Sequence, residues 1–361
     1  MTEANIAHNP MATLNYSIAN TTVLTVLPSG SFPSIGIAIL SIAFVVGFPG
    51  NAFIIWTALT CMKDQTVTSM LILHLATADI MVMLTTPLFI HLLATGSWVF
   101  GNIICKLSHY IGIISMYTSV FIITIMSLDR FLAVSVPFLT KTRRRKIAIK
   151  GLVLAIWLLS SLLAMPILFY RSSLMIRSRL QCVPTNINSA HVVFQYLFET
   201  LFGFFIPFPI IVFNYLYICI RLRSAQFQTK KKTSCLVILI IITFALFWFP
   251  YHIVNLLQIL GETTSNPTAA QKFRMAVRLA RPNVTALAFL SSSVNPVLYG
   301  FAGASFIKTA GIGFMAKLFE AASSENFTLR KVTQVFRQKN RNDSVELGRL
   351  GEDENKQNSS N

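Results

Sequence analysis

Acidic side chains are scarce in this chain. There are 13 Asp and Glu among 361 residues, against 30 Lys and Arg, for a formal charge of +17. Charged residues make up only 12%, about half the share of a soluble domain, while 54% of residues are apolar. So little polar side chain could not cover the surface of a soluble multidomain enzyme. Five cysteines are too few for a disulfide scaffold. Low charge together with 29 phenylalanines excludes a disordered chain. No internal repeat is visible, so a solenoid or an inverted-repeat transporter gains no support. The basic excess then marks either a nucleic-acid footprint or a membrane orientation, and position decides between them.

Apolar runs near the roughly 20 residues needed to cross a bilayer recur seven times. They are Ile35–Thr60, Val67–Leu93, Ile103–Phe131, Ile147–Tyr170, Val192–Ile220, Ser234–Leu260 and Val284–Gly300. The last is read as starting near Ala276, so that Arg278 and Arg281 occupy a polar beginning that faces a cavity. Of the 30 basic residues, 22 fall on the side of the carboxyl-terminal tail, which marks that side as cytoplasmic and the amino terminus as extracellular. A nucleic-acid footprint is not needed. No basic leader or cleavage pattern precedes the first run, which is expected to act as an uncleaved signal anchor. Sequons at Asn15 and Asn20 lie in the polar leader and are expected to be glycosylated; four later matches fall in a span or on the cytoplasmic side.

The expected fold is therefore an all-α membrane protein, a seven-transmembrane helix bundle over residues 35–300 behind an extracellular leader, residues 1–34. After it, Phe306, Ala310, Phe314 and Leu318 recur every four residues. That stripe predicts a short amphipathic helix over 301–320 on the inner leaflet. Residues 321–361 read as a disordered cytoplasmic tail carrying Ser323, Ser324, Thr328, Thr333 and Ser344 as candidate phosphorylation sites.

Three acids fall within spans: Asp79, Asp129 and Glu199. An unpaired acid in lipid costs several kcal/mol, so each is a candidate functional residue. Around them, every span carries a distinctive group: Gly50-Asn51, Leu75-Ala-Thr-Ala-Asp79, Asp129-Arg130-Phe131, Trp157, Pro207 with Tyr215, Phe247-Trp248-Phe249-Pro250, and Asn295-Pro-Val-Leu-Tyr299. In that order across seven spans, the sequence resembles the rhodopsin-like G protein-coupled receptors over about residues 35–320.

The resemblance implies roles. Asp79, ringed by Asn51, Ser119, Ser291, Ser292 and Asn295, would hold a sodium ion as an allosteric cation, since oxygen ligands suit a hard ion; no other cofactor is implied. Asp129 and Arg130 would form the resting pair of an activation switch, with Phe131 where tyrosine is more usual. Trp248, Tyr215 and Tyr299 would belong to the same switch. Pro250 and Pro296 each remove a backbone donor from a helix interior, where such sites kink or hinge. The foot of the sixth span, Gln228-Thr-Lys230-Lys231-Lys232, offers no acid to lock Arg130, which predicts measurable basal signalling. A bridge between Cys105 and Cys182 would tether the loop after the fourth span over the mouth.

For the ligand, position 112 is Gly where amine receptors carry Asp, and position 289 is Phe where opsins carry lysine. The outer half instead has Arg171, Arg278, Arg281 and His109, with Glu199 and Asn255 able to hold hydroxyls. Tyr110, Phe198, Phe202, Trp248 and Phe289 are expected as apolar walls. Arginine's planar fork suits a carboxylate, and a hydroxylated fatty acid satisfies all three features. Thr95–Phe100, Ser115–Tyr117, Pro250–Leu256, Leu290–Tyr299 and Gly311–Glu320 resemble, within the larger family, the receptors for leukotriene B4. That resemblance implies His109, Arg171, Glu199, Asn255 and Arg281 as pocket residues, although Pro282 disturbs the approach of Arg281. It also implies inhibitory heterotrimeric G proteins, receptor kinases and arrestin as partners. Another acidic lipid or a chemotactic peptide is the alternative ligand. A channel or transporter, with Asp79 and Arg130 as ion-path residues, is the alternative class. No HExxH, carboxylate dyad or nucleophile–base pair supports an enzyme. Arg130→Ala is expected to abolish ligand-stimulated nucleotide exchange while ligand binding persists, measured by guanine-nucleotide exchange and saturation binding on the same membranes.

Overall fold

The computed structural model describes residues 33–60, 67–135, 143–176, 178–223 and 230–302. The expectations for Asn15, Asn20, the helix over 301–320 and the tail lie outside the described residues, as do the side chains of Tyr299 and of 230–241 at the foot of the sixth span. The first four spans are Pro33–Thr60, Val67–Thr95, Gly101–Ser135 and Arg143–Ala164. The fifth comprises Ser189–Thr200, a π-turn at Leu201–Phe205 and Pro207–Arg223; the sixth is Lys230–Thr263 and the seventh Pro267–Ala302. The first six are long and apolar enough to cross a membrane. Outward-facing residues such as Val45, Leu154, Leu158 and Phe213 are exposed and apolar, as a lipid-facing surface requires.

Two expectations are corrected. The seventh span begins at Pro267, not near Ala276, so Arg278 and Arg281 sit about three to four turns inside it. A polar stretch can stay helical there because it faces the bundle rather than lipid. The fourth span extends over Ile147–Phe169, close to the expected run, but its helix is not continuous: it breaks after Ala164 and resumes as a short helix Pro166–Phe169, because Pro166 has no N–H to continue the ladder. Arg171, just past it, opens a strand.

That strand was not expected. β1 (Arg171–Ile176) and β2 (Arg179–Pro184) form an antiparallel hairpin in the loop between the fourth and fifth spans, with Ser173 opposite Cys182. The Cys105–Cys182 disulfide ties the hairpin to the third span. Trp98 is fully buried against the bridge, its backbone N–H donating to Leu180 O (2.7 Å) and its indole N–H to Gly101 O (2.9 Å). The hairpin therefore covers one end of the bundle as a fixed cap.

Small residues allow the first and seventh spans to touch, as is usual where helices meet in lipid. A Cβ on Gly47 would lie 2.9 Å from Ser293 Cβ, and one on Gly50 would lie 2.8 Å from Pro296 Cβ. Gly50→Val should destabilise the protein by about 1–3 kcal/mol through overpacking, read as a lowered Tm of detergent-solubilised protein. Gly151→Ala, whose added Cβ meets nothing within 4 Å, should leave Tm unchanged or raise it.

Candidate ligand-binding cavity

Beneath the hairpin lies a cavity of about 770 Å³, bounded by the first, second, third, fifth, sixth and seventh spans. One arm is apolar, with Leu40, Phe89, Leu93, Ala286 and Phe289 as walls. Phe89 sets its ring edge-on to Phe289 (5.5 Å) and to His109 (5.0 Å), geometries that aromatic pairs favour. The polar arm carries Arg171 and Arg281. A narrower chamber of about 170 Å³ continues inward past His109, Arg171, Glu199, Tyr251, Arg281 and Trp248 to the hydroxyl-bearing Ser119 and Ser292.

Glu199 organises the polar arm. It stands one residue ahead of Thr200 at the π-turn, only 4% exposed. Tyr251 donates its hydroxyl to Glu199 Oε1 at 2.6 Å, and Asn255 donates its amide to the same oxygen at 3.2 Å. Tyr251 and Asn255 are four residues apart, one face of the sixth helix. Asn255 also donates to Thr200 Oγ1 at 3.2 Å and accepts from Arg281 Nη1. Arg281 further donates to Val254 O at 3.4 Å and stacks its guanidinium over Tyr196 (4.9 Å) and Tyr251 (5.7 Å). Across the chamber, His109 donates from Nδ1 to Cys105 O at 2.9 Å, which fixes its ring. Arg171 pairs in β1 with Pro184, lines both chambers, and has a buried Nε without a hydrogen-bond partner among the described residues.

Deeper still, Asp79 is fully buried. Asn295 donates to its Oδ2 at 2.8 Å and Ser119 to its Oδ1 at 3.4 Å, while Ser292 also hydrogen-bonds to it. Ser291 instead donates to Ala288 O, within its own helix. Asn51 spends both amide hydrogens, on Gly47 O and Ser292 O (2.9 Å each), and leaves a buried Oδ1 without a partner among the described residues. At the far end, Arg130 donates to Thr68 Oγ1 at 3.4 Å, Asp129 is buried, and Tyr215 packs among Val134, Ile211 and Ile218.

The profile of the 7 transmembrane receptor (rhodopsin family) matches residues 50–299. The chain belongs to that family. This receptor is 43% identical to leukotriene B4 receptor 1 of Homo sapiens over 82% of its own length and 85% of the relative's. It is 38% identical to leukotriene B4 receptor 2 of Homo sapiens over 80% of its length and 81% of the relative's. The C3a anaphylatoxin chemotactic receptor of Oncorhynchus mykiss is 31% identical over 88% of the chain and 86% of that receptor. The protein is a multi-pass plasma-membrane receptor of the class that signals through heterotrimeric G proteins, and not an enzyme.

Within the receptor, His109, Arg171, Glu199 and Arg281 converge on one cavity. Asn255 is fully buried behind them and reaches the cavity only through Glu199 and Arg281. The seventh helix runs on through Pro282, which lies in its interior rather than at its start, and Arg281 still reaches Asn255 and the rings of Tyr196 and Tyr251. Of the expected apolar walls, Trp248 and Phe289 line the cavity. Tyr110 donates to Ser161 O instead, and Phe198 and Phe202 pack against each other, rings tilted, outside its lining. Tyr196 and Tyr251 were missed; each lies one turn from a singled-out polar residue, Glu199 and Asn255 respectively. Asn255→Leu, which leaves the Glu199 carboxylate and the Arg281 guanidinium each short of a partner, should cost about 1–3 kcal/mol of stability. Thermal unfolding of ligand-free receptor in detergent checks it.

Proposed function

We propose that this receptor recognises an acidic hydroxylated lipid, leukotriene B4 itself, and passes the signal to inhibitory heterotrimeric G proteins in chemotactic and inflammatory signalling. The observation that carries the reading is the pairing of two arginines and a hydrogen-bonded acid with a long apolar arm in one cavity. Arg171 and Arg281 supply the planar donors that a carboxylate takes up in two hydrogen bonds. His109 and Glu199 define a polar patch for hydroxyls, with Asn255 holding Glu199 and Arg281 from behind, and Leu40, Phe89, Leu93 and Phe289 accept hydrocarbon. Leukotriene B4 receptors among the relatives support the same ligand.

In this reading the amino terminus and hairpin face outward, as the distribution of basic residues supports. Asp79, Ser119 and Asn51 offer oxygen atoms for a sodium ion, and the unpartnered Asn51 Oδ1 fits that donor set. Bound there, the ion would neutralise the Asp79 carboxylate and favour the resting arrangement. Asn295 holds the opposite carboxylate oxygen, and Ser291 supports its own helix. Asp129, Arg130, Tyr215, Trp248, Pro250, Asn295 and Tyr299 form the activation path, and the tail serves receptor kinases and arrestin.

The test is labelled leukotriene B4 binding to membranes bearing the receptor, with activation of an inhibitory G protein measured in parallel. Saturable binding with guanine-nucleotide exchange is expected; no saturable binding at well-expressed receptor overturns the ligand assignment. Arg281→Ala and Glu199→Ala should each weaken binding about 10- to 100-fold, the loss of one hydrogen bond to a charged group.

A further inference from the structure

Five arginines and one acid, Glu262, line the outer cavity. Arg171 and Arg281 belong to the inner chamber as well. The other three, Arg179, Arg274 and Arg278, line only the outer cavity. Arg274, Arg278 and Arg281 stand at i, i+4 and i+7 along the seventh helix, so they share one face and rise about 10 Å from rim to chamber. Arg179 opens β2 and reaches from the hairpin to the opposite rim, where its Nη1 donates to Thr95 O at 3.5 Å. Gly96 makes room for it: φ there is +66°, and a Cβ would come within 2.6 Å of Nη1. Glu262, to whose Oε2 Ser189 donates its hydroxyl at 2.9 Å, is one negative charge against five positive ones, so the lining stays strongly cationic.

We propose that Arg179, Arg274 and Arg278 form an outer anion-capture site, which holds the carboxylate of an acidic lipid at the mouth and hands it down the arginine ladder to Arg281. The inference rests on the acidic-lipid reading above. Like-signed charge around a cleft with low-dielectric walls focuses the field and raises the local concentration of an oppositely charged ligand. Such steering acts on the rate of association and is screened by salt, with a Debye length of about 8 Å at physiological ionic strength. Residues that act only during entry leave the dissociation rate alone, whereas Arg281, in the final site, governs it. The outer arginines therefore set how fast the lipid is captured from dilute solution, separately from how tightly it is finally held.

The experiment measures association and dissociation of labelled leukotriene B4 with receptor in phosphatidylcholine nanodiscs, across a salt series. For the parent, association should slow as salt rises. The double variant Arg274→Gln with Arg278→Gln should bind about tenfold more slowly at low salt, with a flattened salt dependence and an unchanged dissociation rate. Arg274→Lys with Arg278→Lys keeps the charges and should retain the parent's rate, which separates steering from a folding defect. Unchanged association in the Gln variant at every salt concentration, the result expected if these arginines grip headgroup phosphate instead, overturns the proposal. So does slowed association in the Lys variant. An absence of saturable binding by the parent removes the lipid reading itself, a failure distinct from either.

Discussion

A carboxylate buried in an apolar bundle must find donors within the protein, because hydrocarbon supplies none. Glu199 meets that requirement by recruiting Tyr251 and Asn255 from the sixth span, and Asn255 then engages Arg281 from the seventh. One buried acid thus cross-links the fifth, sixth and seventh spans at the depth where the cavity narrows. The cation of Arg281, laid over two tyrosine rings, completes a group in which each charge has partners of the right sign or polarity. The shape of the polar arm follows from satisfying Glu199.

Asp79 imposes the same constraint one layer deeper. It draws donors from Ser119 on the third span and Asn295 on the seventh, while Asn51 on the first holds the backbone at Ser292. Between the two polar layers lies Trp248, packed with Met116, Tyr117, Phe204, Phe244 and Ala288. The inner chamber touches the upper layer at Glu199 and the hydroxyls beside the lower one at Ser119 and Ser292. A ligand in that chamber would bear on both networks and on the aromatic layer separating them. Pro250 and Pro296 stand just beyond, in helices that lack a backbone hydrogen bond at those points. The fold therefore places its weakest helix segments next to its most constrained polar groups.

The bundle was legible in the sequence because membrane spans declare themselves locally: length and apolarity suffice, and six of the seven do so in the structure. The seventh was placed too short for a physical reason. Its first turns carry Lys272, Arg274, Arg278 and Arg281, which hydropathy reads as loop, yet all four are helical and the three arginines line a cavity. The hairpin was illegible because Arg171–Pro184 shows no clean alternation of burial: its register depends on pairing between two strands and on the bridge at Cys182. Within the candidate site, charged residues stood out one by one as anomalies in an apolar sequence. The tyrosines that complete their network did not, since an aromatic in a span is ordinary packing until its hydroxyl is seen to reach a carboxylate.

The sequence by itself determined the number and order of the spans, the family, and the identity of the buried charges, because each of these is carried by residue type at a given depth of a run. Only the tertiary structure decided which charges meet. Glu199 and Arg281 are 82 positions apart, and their connection through Asn255 depends on the rotation of three helices about their own axes. Whether an arginine snorkels to the membrane surface or turns into a cavity is a matter of which face the helix presents, and packing against neighbouring spans sets that face.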